Sequence, residues 1–172
     1  MSFIKQGVVL PLGSSGDFDD MHVYRPAPLL LDGRVYLYYA GHDGSNARVG
    51  LAISEDGVHF TKQGVVTPLG SSGDFDDVHA YRPAPLLLDG RVYLYYTGYD
   101  GSTYRAGLAI SEDGVHFTKQ GVVLPLGSSG DFDDMRVYSP APLLLDGRVY
   151  LYYAGHDGST YRAGLAIGEE AL

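Results

Sequence analysis

Nine of the 21 acidic side chains in this protein come in three copies of one phrase. Asp-Phe-Asp-Asp begins at Asp17, Asp74 and Asp131, and a polar, aromatic group follows each copy. The groups are Asp20, His22, Tyr24 and Arg25; Asp77, His79, Tyr81 and Arg82; and Asp134, Arg136 and Tyr138, where Ser139 stands in place of the arginine. A carboxylate near an imidazole or a guanidinium suits proton transfer or anion binding, and tyrosine adds a flat face for a sugar ring. These residues are the candidate ligand-binding set. The plainer alternative is that the aspartates cap their own turns and that the cations pair with them. Two histidines one period apart suggest a metal ring, but the third copy has Arg136 at that place, so no metal is expected.

A second set lies further along each copy. His42, Tyr99 and His156 precede Asp43, Asp100 and Asp157, and Tyr104 and Tyr161 stand beside Arg105 and Arg162. This reads as a repeated sugar-binding surface, as in a multivalent lectin, or as a solvated hairpin with an Asp–Arg pair. The glutamates are Glu55, Glu112, Glu169 and Glu170, all far in sequence from the Asp-rich phrase. Glycoside hydrolysis ordinarily needs two carboxylates flanking one bond. No catalytic residue is assigned, and no cofactor is expected.

The elements that position these groups repeat in step. Pro-Ala-Pro-Leu-Leu-Leu-Asp-Gly-Arg-Val-Tyr-Leu-Tyr-Tyr starts at Pro26, Pro83 and Pro140 without a substitution. The 172 residues therefore read as one repeat domain, with repeats of about 4–60, 61–117 and 118–172. Near-copies place the same residue everywhere, whereas an active site needs different residues at different places. A net charge of −9 without a basic run argues against nucleic acid or an anionic membrane as partner. There is no cysteine, which excludes disulfides and thiolate chemistry. The first residues lack the pattern of a signal peptide, so a cytoplasmic or recombinantly produced protein is expected.

Asp-Gly punctuation cuts the first repeat into strands at about 24–31, 34–40, 48–54 and 58–66. Pro26 and Pro28 delete donors from one side of the first strand only, which suits an edge facing a channel. The second strand is apolar on both faces, as in a sheet packed between two neighbours. These features predict an all-β fold: a β-propeller of three four-stranded antiparallel blades. Residues 3–8 match residues 60–65, so the N-terminal strand is expected to complete a blade. Since three blades are too few for a ring, two chains would form a six-bladed homodimer with a small sugar or anion in the channel. The alternative is a β-trefoil.

The run Pro-Leu-Leu-Leu-Asp-Gly-Arg-Val-Tyr-Leu-Tyr-Tyr-Ala-Gly-His-Asp-Gly, followed by Arg-Val-Gly-Leu-Ala-Ile-Ser-Glu-Asp-Gly-Val-His-Phe, resembles the blade repeat of five-bladed glycosidase propellers. Those include arabinanases, fructan hydrolases and mannoside phosphorylases. The resemblance covers nearly the whole chain. It implies an Asp base or nucleophile and a Glu acid from different blades at the channel mouth, but this chain has no counterpart of that Glu. The mannoside-phosphorylase variant manages with one key Asp. Residues 54–60 and 111–117 are similar to an Asp-box, which implies a structural hairpin turn; the third copy degrades to Gly168-Glu169-Glu170-Ala171-Leu172. Near-identical repeats look like a designed or recently amplified symmetric propeller. The expected function is thus a self-assembling scaffold without catalysis. The alternatives are a carbohydrate-binding propeller and a glycoside hydrolase or phosphorylase.

Overall fold

The computed structural model describes residues 1–168 and is all-β. The first repeat holds β1 (His22–Leu31), β2 (Arg34–His42), β3 (Ala47–Ser54) and β4 (Thr61–Thr67). The second holds β5 (His79–Leu88), β6 (Arg91–Tyr99), β7 (Tyr104–Ser111) and β8 (Thr118–Leu124). The third holds β9 (Arg136–Leu145), β10 (Arg148–His156) and β11 (Tyr161–Ile167). Consecutive strands within a repeat pair antiparallel. Asp32 and Gly33 both have positive φ, 49° and 75°, and Leu31 pairs with Arg34 across them. That is the two-residue turn whose twist matches a hairpin, and Asp-Gly meets it at low cost.

The chain does not form the closed β-propeller expected from its repeats, nor a β-trefoil. Its strands make one open sheet of mixed topology, in the order β1-β2-β3-β5-β6-β7-β9-β10-β11, with β4 on β3 and β8 on β7. Single parallel bridges, Ala47 to His79 and Tyr104 to Arg136, join the repeats, so they are not distinct blades. The N-terminal copy of the β4 sequence, which the closed fold would have laddered onto the last repeat, is not laddered onto it. Residues 1–9 contain no strand and are exposed, and the outer edges of β3 and β7 are taken by β4 and β8. β1 and β11 end the sheet, and β11, unlike β3 and β7, has no outer partner among the described residues. Threefold symmetry is also absent, because repeats of four, four and three strands bury their copies differently.

The fourth strand begins at Thr61 rather than Val58, and the preceding turn explains the shift. Asp56 Oδ1 accepts the amides of Val58 and His59 at 2.9 and 2.8 Å, which removes those donors from the ladder. Asp113 does the same for Val115 and His116. The third copy of this turn, with Glu169 and Glu170, lies outside the described residues. Hydrogen bonds from His59 and His116, then from the backbone, hold Asp56 and Asp113 well below the usual carboxylate range. Asp43 is lowered too, by the Asn46 amide and then the Arg48 side chain. A depressed folded-state pKa contributes stability above the unfolded value, near 4, which is lost as pH falls below it. Melting temperature is expected to be insensitive to these groups above about pH 5 and to fall steadily below about pH 4, as read by circular dichroism.

The core forms where one repeat lies on the next. Tyr36, Tyr38, Val49 and Leu51 of the first repeat pack on Val92, Leu94, Tyr96 and Ala109 of the second. Tyr38 is fully buried, and its hydroxyl donates to the Gly114 carbonyl at 2.8 Å. Each such side chain contributes about 1.5–3 kcal/mol by leaving water. Phe18, Phe75 and Phe132 from the Asp-Phe-Asp-Asp loops lie against glycines of the neighbouring strands. A Cβ at Gly98 would overlap the Phe75 ring and approach Asp76 Cβ to 2.8 Å. Gly98→Ala is therefore expected to cost about 1–3 kcal/mol, measured by urea unfolding. Among the described residues, no helix is long and apolar enough to cross a membrane.

Candidate functional site

The leading ends of β5 and β9, with the starts of β7 and β11, build a cavity of about 130 Å³ lined by Tyr81, Arg82, Tyr104, Arg136, Tyr138 and Tyr161. Its geometry starts with a backbone irregularity. Arg25, Arg82 and Ser139 have φ of 57°, 55° and 53°, and β1 and β5 shift register at this point, between Tyr24 and Ala27 and between Tyr81 and Ala84. Each precedes a proline, whose ring disfavours the ordinary helical conformation. A left-handed non-glycine residue costs about 1–2 kcal/mol, so packing must hold it. At Arg82 the held group is a guanidinium.

Arg82 Nη1 donates to Ser139 Oγ at 2.7 Å. Its Cζ lies 5.3 Å from the Tyr81 ring centre and 5.2 Å from that of Tyr138. Its Nε is buried without a hydrogen-bond partner. Ser139 is fixed in turn, its amide donating to Thr97 Oγ1 at 2.9 Å. Arg136 sits 5.5 Å over Tyr104, and its Nη1 donates to the Tyr161 hydroxyl at 3.4 Å. Burial, then Tyr81 and Tyr99, push the Tyr104 phenol up against the pull of Arg136 and Arg82. Burial raises Tyr138 as well. The cavity holds two guanidinium groups walled by tyrosine rings, a setting for an anion or a polyhydroxylated ring.

The structure divides the predicted set. Tyr81, Arg82, Arg136 and Tyr138 meet in the cavity. Tyr24 and Arg25 occupy the equivalent place in the first repeat, where Arg25 is exposed. His22 is exposed and packs on His42 at 5.7 Å. His79 accepts the Ala47 amide at Nδ1, 3.0 Å, and stacks on Tyr99; burial and then His42 hold its pKa below the usual imidazole value. Asp20, Asp77 and Asp134 stay in their loops. Their Oδ2 atoms accept the amides of Gly16, Gly73 and Gly130 at 2.7–2.8 Å, and each Oδ1 is buried and unpartnered. None of them lines the cavity.

Tyr104 and Tyr161 had been read as part of an exposed turn surface. The bridge from Tyr104 to Arg136 brings Tyr104 to the cavity. One signal was in the sequence, since the first repeat has Ala47 at this position. Arg48, Arg105 and Arg162 form ion pairs with Asp43, Asp100 and Asp157 at 2.7–2.8 Å, so the rest of that turn is engaged locally. The central aspartates of each phrase are structural. Asp19 and Asp76 are buried, accept the hydroxyls of Tyr39 and Tyr96, and pair with Lys62 and Lys119.

No family model matches the chain. It is 32% identical over 137 residues to sucrose-6-phosphate hydrolase of Bacillus subtilis (strain 168), a match covering 68% of this chain and 28% of that protein. Among solved structures, a family 117 glycoside hydrolase from Zobellia galactanivorans superposes with a TM-score of 0.79 at 22% identity, over 87% of this chain and 53% of that one. A structure from the family 130 mannoside phosphorylases, which contain hydrolases that target β-1,2 mannosidic linkages in Candida mannan, gives 0.69 at 18% identity over 90% and 51%. A glycosyl hydrolase from Bacteroides ovatus gives 0.69 at 19% over 90% and 51%. The chain spans just over a quarter of the curated relative and about half of these structures. The shared fold is that of glycosidase-type sheets, here left open. The expectation of a symmetric, designed or amplified, non-catalytic scaffold is overturned, because sequence and fold are shared with natural carbohydrate-cleaving enzymes.

Proposed function

We propose that this chain carries the anion-binding part of an enzyme that cleaves glycosidic bonds, of glycoside phosphorylase or hydrolase type. The observation that carries this is the buried, unpartnered Nε of Arg82, in a cavity shared with Arg136 and walled by four tyrosines. A guanidinium edge offers parallel donors that match a phosphoryl group, and the tyrosine faces suit a sugar ring. Similarity to a hydrolase acting on a phosphorylated disaccharide and to a mannoside phosphorylase fold supports the phosphoryl group as ligand.

Phosphorolysis fits the lining better than two-carboxylate hydrolysis, because among the described residues no carboxylate lines the cavity. An oxygen of inorganic phosphate attacks the anomeric carbon and the glycosidic C–O bond breaks. Its electron pair goes to the leaving oxygen, which takes up the proton that the attacking dihydrogen phosphate carries, so the products are a sugar 1-phosphate and a free hydroxyl. The test incubates the chain with oligosaccharides and inorganic phosphate, and separately with a 6-phosphorylated disaccharide without free phosphate. A sugar 1-phosphate in the first arm supports phosphorolysis; a sugar 6-phosphate with one free monosaccharide in the second supports a phosphoryl group carried on the substrate. No product in either arm, together with no binding of phosphate, overturns the reading.

A further inference from the structure

We infer that the outer edge of β11, unpaired among the described residues, is a docking site for the N-terminal segment of a second copy of this chain. Three independent observations meet there.

The first is sequence. Residues 3–9 read Phe-Ile-Lys-Gln-Gly-Val-Val, and residues 60–66 and 117–123 read Phe-Thr-Lys-Gln-Gly-Val-Val. The latter two include β4 and β8, which cover the outer edges of β3 and β7. β11 is the third copy of β3 and β7, and among the described residues it pairs with β10 alone. Its amides and carbonyls template one more strand. Transferring the β3–β4 register places Gly164 opposite Val8, Leu165 opposite Gly7, Ala166 opposite Lys5 and Ile167 opposite Ile4.

The second is charge. Lys62 reaches Asp19 at 2.7 Å and Lys119 reaches Asp76 at 2.6 Å, both aspartates being buried. Asp133, the third copy, is also buried and has the Tyr153 hydroxyl at 2.7 Å but no lysine among the described residues. Lys5 is the copy of Lys62 and Lys119 in the unpaired segment.

The third is apolar surface. Tyr38, Leu51 and Leu31 are 0%, 0% and 9% exposed under the second repeat, whereas their copies Tyr152, Leu165 and Leu145 are 43%, 45% and 44% exposed. In the N-terminal part of the chain, Phe3, Ile4, Val8, Leu12 and Leu30 are exposed. A second copy covers both surfaces with the contact that already joins repeats within the chain, and reciprocal exchange gives a twofold dimer.

Two measurements test this. Light scattering is expected to give about twice the 18.5 kDa chain mass, and Lys5→Glu is expected to raise the dissociation constant at least tenfold. Because the chain has no native cysteine, Ile4→Cys and Ile167→Cys in separate chains report the register. When mixed and oxidised, they should yield one disulfide-linked heterodimer, since opposed strand positions lie within disulfide reach. A monomeric mass overturns the inference. So does an internal disulfide in a monomeric double-cysteine chain, which would mean the segment folds back on its own β11. Sugar or phosphate binding plays no part in either readout.

Discussion

Arg82→Asn is expected to remove phosphate binding, and any turnover that depends on it, by roughly 10- to 150-fold. That range corresponds to about 1.5–3 kcal/mol for hydrogen bonds to a charged group. Asparagine is chosen because it tolerates the left-handed backbone that Arg82 adopts at φ 55°. The substitution therefore deletes the fork without straining the turn. Arg82 is also held by Ser139 Oγ and by the faces of Tyr81 and Tyr138, so Arg82→Lys is a sharp companion. It keeps the charge but loses the planar edge that presents Nε, and it should recover little of the binding. Titration calorimetry with inorganic phosphate reads the affinity, and a thermal melt reports whether the fold is intact. Wild-type affinity in Arg82→Asn would show that the buried Nε is only a strained structural donor.

The largest expected loss of stability comes from Asp76→Ala. Asp76 is 1% exposed, accepts the Tyr96 hydroxyl at 2.8 Å and pairs with Lys119 at 2.6 Å. Removing it leaves a cation and a phenol without their acceptor, which costs about 3–5 kcal/mol for a buried pair. Lys119 keeps a quarter of its side chain in water, so the lower end of that range is expected. Against an ordinary domain stability of about 5–15 kcal/mol, such a loss is readily measured by urea unfolding. The matching change in the third repeat gives a built-in comparison. Among the described residues, Asp133 has Tyr153 alone as a side-chain partner, so Asp133→Ala should cost about 1–3 kcal/mol. If a second copy inserts Lys5, the cost at Asp133 rises toward that at Asp76 as protein concentration increases. Equal costs at low concentration would mean that the Lys119 pairing contributes nothing.

Much of the local structure was legible because it depends on short-range chemistry. The Asp-Gly pairs set the hairpin turns through positive φ, and the alternation of Val, Tyr and Leu set the strands between them. Pro26 and Pro28 fit the place of β1 at one end of the sheet, but the expected channel edge is absent: β5 and β9 carry the same proline pair inside the sheet order, bridged at His79 and Arg136 ahead of the prolines. The start of β4 was misplaced because Asp56 competes for the amides of Val58 and His59, a contest that strand propensity does not register. At the site, the sequence named Tyr81, Arg82, Arg136 and Tyr138 but could not separate them from Asp20, Asp77 and Asp134, which share the same phrase. Backbone direction at the bulge makes that separation: the arginine turns into the cavity while the aspartate bonds back to its own loop.

The sequence by itself determined the repeat, the strands and the chemical vocabulary of the site, because each is written within a few residues of where it acts. Only the tertiary structure decided that the three repeats stop short of a closed ring. Closure depends on where the two ends of a sheet lie in space, and repeat identity carries no information about that. It also decided that Tyr104 belongs with the arginines, through a bridge to Arg136, 32 residues on, and that Tyr161 lines the same cavity. Three near-copies of one phrase became unequal because the first, second and third repeats have different neighbours. That inequality produces both the cavity around Arg82 and the unpaired edge of β11.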